Sequence, residues 1–407
     1  MAWYSLLLLS TIPAFFYLYL YIPIEIDPPE IDKDGFFGLG ESIKDDETID
    51  PFTIKFTTQV NEMKRFAVES INKFDEDSFE RRIASNLANF NWDQHSHFIN
   101  SFRHFTTEIE GLSIHFVHIS LDYDKKVNRI PILILPSSFS SFWNFFKIFP
   151  ILSNPSRYGF EFGLKDTLVF DVIIPSYPIT PFSQSTLHNS IDKVSVSRIL
   201  NKLMTTRLSY PKYFVYGDGG IGSEIASIIS TVFPSDVLGL IINDPIMSME
   251  GIKRQLQLYL LPSDSIQTQI DHCVSYHPPL NDQTFTTTLK YLIERWRHSS
   301  QSNELDREVT LDEITTSFSL FILTKSVESH INLLTSPIPP SILEATTPVP
   351  TFVISSRNNK CHFPKSLLNH KFLNLTRYDE IDHGGILNSL SKSTEIAQKI
   401  FSFVEVC

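Results

Sequence analysis

The residues best placed for chemistry in this chain form the glycine-rich stretch Gly217-Asp218-Gly219-Gly220-Ile221-Gly222-Ser223. It follows the apolar segment Lys212–Tyr216 and opens a helical pattern, so it reads as a tight strand-to-helix turn. Two chemistries use such a turn. A dinucleotide site cradles a pyrophosphate on G-x-G-x-x-G and places an acid about twenty residues further on for the ribose. Gly217, Gly219 and Gly222 satisfy that spacing, and Asp244 stands where the ribose ligand would. A nucleophile elbow instead exposes one reactive side chain as the strand turns into the helix. Asp218 is the nearest nucleophile on offer, although an aspartate in a turn also serves simply by bonding nearby backbone. Both devices need glycines at the same place, so the glycine pattern alone separates them poorly. No serine lies in a G-x-S-x-G context, because Ser223 follows Gly222, and a serine esterase is disfavoured.

The other reactive side chains are scattered. His115 and His118 are three apart on an extended segment, point to opposite faces and cannot share a metal. His95 and His97, two apart in a helical pattern, are splayed in the same way, and all four read as solvated histidines. Cys273, Cys361 and Cys407 are few, odd in number and unclustered, which argues against both a disulfide framework and a zinc site. Neither a metal nor a cofactor is expected. The sequon Asn374-Leu375-Thr376 matters only if the body is lumenal.

The elements that must position the turn are legible as short apolar runs alternating with helical periodicity. Strands are predicted at Leu112–Ile119, Ile130–Leu135, Leu168–Pro175, Tyr213–Tyr216, Val237–Ile242 and Thr351–Ser355. Helices are predicted at Ser141–Leu152, Val194–Leu208, Gly222–Val232 and Ser389–Val404. Such alternation implies an α/β fold with a mostly parallel sheet covered on both faces. Residues 51–110 form a separate N-terminal segment, largely helical to about residue 108, with Phe74, Phe79 and Trp92 as buried anchors. Residues 245–348 interrupt the alternation, are helical in pattern and are too long for a loop, so they read as an inserted cap on a core spanning 111–407.

Composition limits the partners. The chain has 407 residues and a formal charge of −12, with no basic run, so a nucleic-acid partner is not expected. Thirty-three phenylalanines against fourteen glycines point to aromatic-rich packing, with an apolar cavity as the alternative. Met1 to Ile24 carry no charge and are long enough to span a bilayer core of roughly 30 Å. Trp3, Tyr17, Tyr19 and Tyr21 suit its interfaces. The run lacks the basic n-region and small-residue site of a cleaved signal peptide, so residues 1–24 are expected to be a single-pass anchor. An acidic, proline-containing linker, residues 25–50, follows it.

Longer stretches carry a family likeness. The segment from Phe98 through His104, Gly111 and His115 to His118, with Phe90-Asn91-Trp92 upstream, resembles the entry segment of microsomal and juvenile-hormone epoxide hydrolases. Ser141–Pro150, Phe170–Ser176 and Asp382-His383-Gly384-Gly385 match the same family in order and spacing, from about residue 50 onward. The resemblance implies an α/β-hydrolase core, a helical cap, an N-terminal wrapping segment and a membrane anchor, with the endoplasmic reticulum as the expected address. It also implies a mechanism. An elbow aspartate opens the epoxide, a histidine oriented by an acid activates water, cap tyrosines donate to the epoxide oxygen, and backbone N–H groups hold the oxyanion.

Position by position, the implied catalytic set is missing. The family's elbow pattern, Gly-Gly-Asp-Trp-Gly-Ser, places Gly220 at the nucleophile and Ile221 at the tryptophan. The histidine after Gly384-Gly385 is replaced by Ile386, with His383 three positions earlier as a displaced candidate base. The acid falls at Ser366, and one cap tyrosine falls at Leu334, with Tyr276 a candidate for the other. The oxyanion loop, His-Gly-Trp-Pro-Gly-Ser in the family, is Pro136-Ser-Ser-Phe-Ser-Ser141 here, leaving the backbone of Ser138 and Ile221 as donors. A catalytically inactive member with a binding or regulatory role is therefore expected, with an apolar small molecule under the cap. The alternatives are residual epoxide hydrolysis through Asp218 and His383, and a dinucleotide-binding protein.

Overall fold

The structure, a computed structural model, describes residues 25–38, 44–122, 127–162, 166–184, 191–245, 282, 284–300, 302–357, 363, 365–382 and 387–407. The expected anchor at residues 1–24, Tyr276 and the pair His383 and Ile386 lie outside them. Among the described residues, no helix is long and apolar enough to cross a membrane.

The chain enters through the short strand β1 (Asp50–Phe52) and the helices α1 (Thr58–Ile71), α2 (Phe79–Ala88) and α3 (Trp92–Ile99). Strands β2 (His104–Ile109) and β3 (Leu112–Ile119) form a hairpin, and β4 (Val127–Leu135) follows. After the short α4 (Phe149–Ser153) come β5 (Thr167–Pro175), α5 (Lys193–Lys202), β6 (Tyr213–Asp218), α6 (Gly220–Val232) and β7 (Val237–Asn243). The cap supplies α7 (Phe285–Ser300), α8 (Leu311–Thr324), α9 (Val327–Thr335) and α10 (Pro340–Glu344). The core resumes with β8 (Thr351–Ser356), α11 (Lys365–Lys371), β9 (Leu375–Ile381), α12 (Asn388–Ser391) and α13 (Ser393–Val404).

The nine strands form one sheet in the order β1-β2-β3-β5-β4-β6-β7-β8-β9. The first three pairings are antiparallel and the rest parallel, as the alternation required. Every residue of β6 and β8 is buried, so both sheet faces are covered at the centre. That puts β6, between β4 and β7, in the position to deliver the glycine-rich turn.

Three expectations of secondary structure change. His104–Ile109 is a strand and not helix, because Leu112–Ile119 supplies a partner through the two-residue turn Glu110-Gly111. Both turn residues have left-handed φ (54° and 77°), as a hairpin that follows the sheet twist demands. The predicted helix Ser141–Leu152 divides into a tight turn at Phe142–Phe145 and α4, where Pro150 is tolerated in the first turn. The helix expected to Leu208 widens after Lys202 into a π turn, Leu203–Arg207.

The described part of the 25–50 stretch is a strap and not a free linker. The Ile26 carbonyl accepts from the Thr346 N–H (2.9 Å) and the Ile26 N–H donates to the Thr346 hydroxyl (3.0 Å), and Asp45 accepts from the N–H groups of Glu110 and Gly111 (2.8 and 2.9 Å). Its acids meet cations: Asp34 pairs with Lys202 (2.6 Å) and Asp45 with Arg207 (3.0 Å). A side chain at Gly35 would collide with the Arg198 guanidinium, so the strap passes only as glycine there. The α1–α3 segment wraps onto the cap through Ser70 to Thr286 (2.9 Å), Glu80 to Arg297 (2.6 Å) and Asn86 to Asp312 (2.9 Å). Phe74, Phe79 and Trp92 are buried as expected.

Candidate functional site

The turn at the end of β6 has the shape of an elbow. Gly219 has φ 72°, ψ 168°, and Gly220 has φ 48° before α6 begins. The close approach of helix to strand requires small residues: a Cβ at Gly222 would lie 2.4 Å from the Leu135 carbonyl oxygen, and one at Gly217 would lie 2.7 Å from the Ala226 methyl. Ser223 ties the turn to β7, donating to the Asn243 carbonyl (2.5 Å) and accepting from the Gly219 N–H (2.9 Å).

Gly220 stands at the apex. A Cβ built there would point at the oxyanion loop, 2.5 Å from Ser138 Oγ and 3.5 Å from Ser137 Oγ. The Ser138 hydroxyl thus occupies the space into which a nucleophile would project. It also accepts a long bond from the Ile221 N–H (3.4 Å), one of the two donors expected to hold an oxyanion. The N–H groups of Gly222 and Ser223 bond to the Gly219 carbonyl (3.0 and 3.3 Å). The N–H groups of Ile221, Gly222 and Ser223 thus already have partners within the protein.

Asp218 points elsewhere. It is fully buried, and Oδ1 accepts from Tyr216 (3.0 Å) and from Ser389 of α12 (2.7 Å). The Asn243 amide also faces it and favours the ionised form, although Oδ2 forms no bond of ordinary geometry among the described residues. Burial outweighs these neutral donors, Asp244 adds repulsion, and the pKa is pushed up to about 6. None of these partners touches the space before Gly220, so Asp218 and the apex face different neighbours. Two tyrosines nearby, Tyr216 and Tyr177, are held well above their usual range by burial and by the Asp218 charge.

The remaining predicted positions fall as follows. Leu334 lies on α9, buried, and its carbonyl accepts from Lys193 Nζ (2.9 Å), which also pairs with the partly buried Glu224 (3.0 Å). Ser366 falls on α11, its side chain outside the described residues, as are His383 and Ile386. Asp244 does not project into a ribose site: its carboxylate takes the Ser356 N–H and hydroxyl, both at 2.7 Å, and joins β7 to β8. No described group of three or more candidate ligands could hold a metal ion.

Contacts between loop and cap escaped the sequence reading. Phe139, at φ 55°, is completely buried. Its N–H donates to His330 Nε2 (3.0 Å) and its carbonyl accepts from Trp296 Nε1 (3.0 Å). Its ring packs against Tyr291 and His330, with centroids 5.5 and 4.8 Å away. Tyr291 is therefore the cap tyrosine that reaches the oxyanion loop among the described residues. Its hydroxyl has no partner among the described residues, and burial pushes its pKa up to about 12. Partners 157 and 191 residues apart leave no local signal; only the placement of Tyr291 beside Leu292 and Trp296 on a buried helix face was available.

Of the four histidines expected to be solvated, His97 is exposed and the other three are not. His115 is fully buried, bonded to His104 Nδ1 (3.0 Å) and Ser176 Oγ (2.9 Å), and burial holds it well below its usual range. His95 is half-buried against Thr316 (3.0 Å).

A mostly parallel sheet, an elbow after its central strand and a cap inserted behind the next strand define an α/β-hydrolase fold. The crystal structure of juvenile hormone epoxide hydrolase from the silkworm Bombyx mori superposes with a TM-score of 0.77, covering 92% of this chain and 98% of that one at 21% identity. The family model described as Epoxide hydrolase N terminus matches residues 48–145. Juvenile hormone epoxide hydrolase 1 of Ctenocephalides felis is 33% identical over 246 residues, 58% of this chain and 51% of that protein. Epoxide hydrolase 1 of Sus scrofa is 26% identical across 99% of this chain and 98% of its own length. The chain thus matches about half the length of the first relative and nearly all of the second. It carries an epoxide-hydrolase N-terminal domain and is a homologue of the juvenile-hormone and microsomal-type epoxide hydrolases.

Proposed function

We propose that the chain is a catalytically silent relative of these enzymes, attached to a membrane through residues 1–24 and acting by binding. The observation that carries the reading is Gly220 at the elbow apex with the Ser138 hydroxyl in the space before it. Glycine offers no atom to form an ester with an opened epoxide, and removing a nucleophile abolishes covalent turnover. Asp218 is a poor substitute because it lies two residues earlier, fully buried, on partners the apex does not share.

Incubation of the purified full-length protein with styrene oxide should give neither diol above the uncatalysed rate nor an adduct in the intact mass. Turnover that Asp218→Ala or His383→Ala removes would replace this reading with hydrolysis by a shifted pair. For the attachment, the uncharged run to Ile24 supports an anchor, and carbonate extraction should leave the full-length protein in the membrane pellet. Release into the supernatant would refute it.

A further inference from the structure

A second site lies away from the elbow, where the N-terminal segment, the loop after β5 and the α8–α9 junction meet. The cleft there has a volume of about 770 Å³, within the size range of small-molecule sites. Neither Gly220, Ser138 nor Asp218 lines it. Its apolar side is formed by Phe52, Phe56, Phe182, Ile179 and Leu323. Phe182 packs edge-on or tilted against its neighbours, with centroids 6.2 Å from Phe52, 6.1 Å from Phe56 and 5.3 Å from the buried His115.

The backbone of this cleft is strained. Ile179 (φ 61°), Phe182 (φ 77°) and Lys325 (φ 54°) all line it, and they are three of the seven described non-glycine residues with left-handed φ. For a β-branched residue such as Ile179 this conformation is an outlier, and such outliers persist where surrounding structure holds them for a purpose. Here Ser329 donates to the Ile179 carbonyl (2.5 Å) and the Ile179 N–H bonds to Gln184 (3.1 Å). Lys325 occupies the left-handed cap of α8, a position that favours glycine.

Lys325 and Lys55 stand on the rim, exposed, with no carboxylate partner among the described residues, in a chain whose net charge is −12. Glu328, three residues from Lys325, is the one carboxylate among the described lining residues and is exposed. Lys325 and Glu328 also border a smaller pocket of about 270 Å³, walled by Phe66, Phe285, Phe321 and Ile322. An apolar wall beside a rim with two cations and one carboxylate fits one ligand chemistry. We infer that this cleft binds an amphipathic monoanion, an aliphatic chain on the phenylalanine wall with its carboxylate between Lys55 and Lys325. The site goes beyond the reading of the elbow and stands whether or not the elbow turns over substrate.

The test is calorimetric titration of the full-length protein with dodecanoate and with dodecanol. Saturable dodecanoate binding should weaken at least tenfold in Lys325→Asn combined with Lys55→Gln, both exposed positions, while dodecanol is little affected. Phe182→Asn, which suits a left-handed backbone, should weaken both ligands, and its melting temperature would show that the fold is kept. No saturable dodecanoate binding, or binding indifferent to the lysine and Phe182 changes, would overturn the site. Neither result bears on diol formation, which is read separately.

Discussion

Two buried carboxylates show how differently this molecule treats its interior charge. Glu110, at the hairpin that receives the strap, is held by Arg198 through two bonds of 2.8 Å and by Lys202 at 2.9 Å. Asp218, at the end of the central strand, is equally buried but meets only hydroxyl and amide donors. The first is a compensated charge that fastens the N-terminal strap to the core. The second is an uncompensated one, which the fold tolerates by sharing it with a proton near pH 6. The contrast teaches that polar bonding is complete where the chain assembles and strained where an enzyme would act.

Breaking the compensated pair should have the largest effect. Arg198→Ala leaves Glu110 buried with Lys202 alone and should cost about 3 kcal/mol in urea unfolding. A loss under 1 kcal/mol would mean that water reaches Glu110 and the two sites are not opposites.

The uncompensated acid should behave in reverse. Its folded pKa lies above the unfolded one, so its contribution to stability is full below about pH 4 and is lost as pH rises through 6. A shift of about two units corresponds to about 3 kcal/mol at most. Asp218→Asn should therefore stabilise at pH 8 by about 1–3 kcal/mol, and the advantage should fade between pH 6 and pH 4 in paired thermal melts. A destabilised variant at pH 8 would show that the ionised form is wanted, as a nucleophile would be.

At the apex the effect should be smaller. Gly220→Ala must adopt φ 48° and displace the Ser138 hydroxyl, at a cost of about 1–2 kcal/mol. Combining it with Ser138→Gly should recover at least about 0.5 kcal/mol, a coupling expected of groups in contact. Strict additivity would place Ser138 outside that space. The smallest effect belongs to the exposed pair Arg357–Asp382: Arg357→Gln should change stability by less than about 1 kcal/mol.

Much of the sheet was legible because its buried strands are short, mostly apolar runs: Leu112–Ile119 was placed to the residue, and Tyr213, Val237 and Thr351 start their strands as expected. The strands that escaped are peripheral. His104–Ile109 mixes polar and apolar residues beside true helices, and Leu375–Ile381 carries Arg377, Asp379 and Glu380 on an edge, so neither has a core signature. At the site, the glycine at the apex could be read directly. The Ser138 hydroxyl that fills the space, and the clasp of Phe139 by His330 and Trp296, depend on side-chain direction across long stretches of chain and left no pattern to read.

The strap has a mechanical consequence. Ile26 is already docked on Thr346, so Glu25 alone separates residues 1–24 from the folded body. One extended residue spans about 3.5 Å, which allows almost no swing. Under the proposed attachment, a hold on residues 1–24 would set the orientation of the body as well as its address, in the way a bolt does and a leash does not. The edge bearing Thr346 would be kept against the point of attachment, and the rest of the surface would be presented at a fixed angle to whatever approaches.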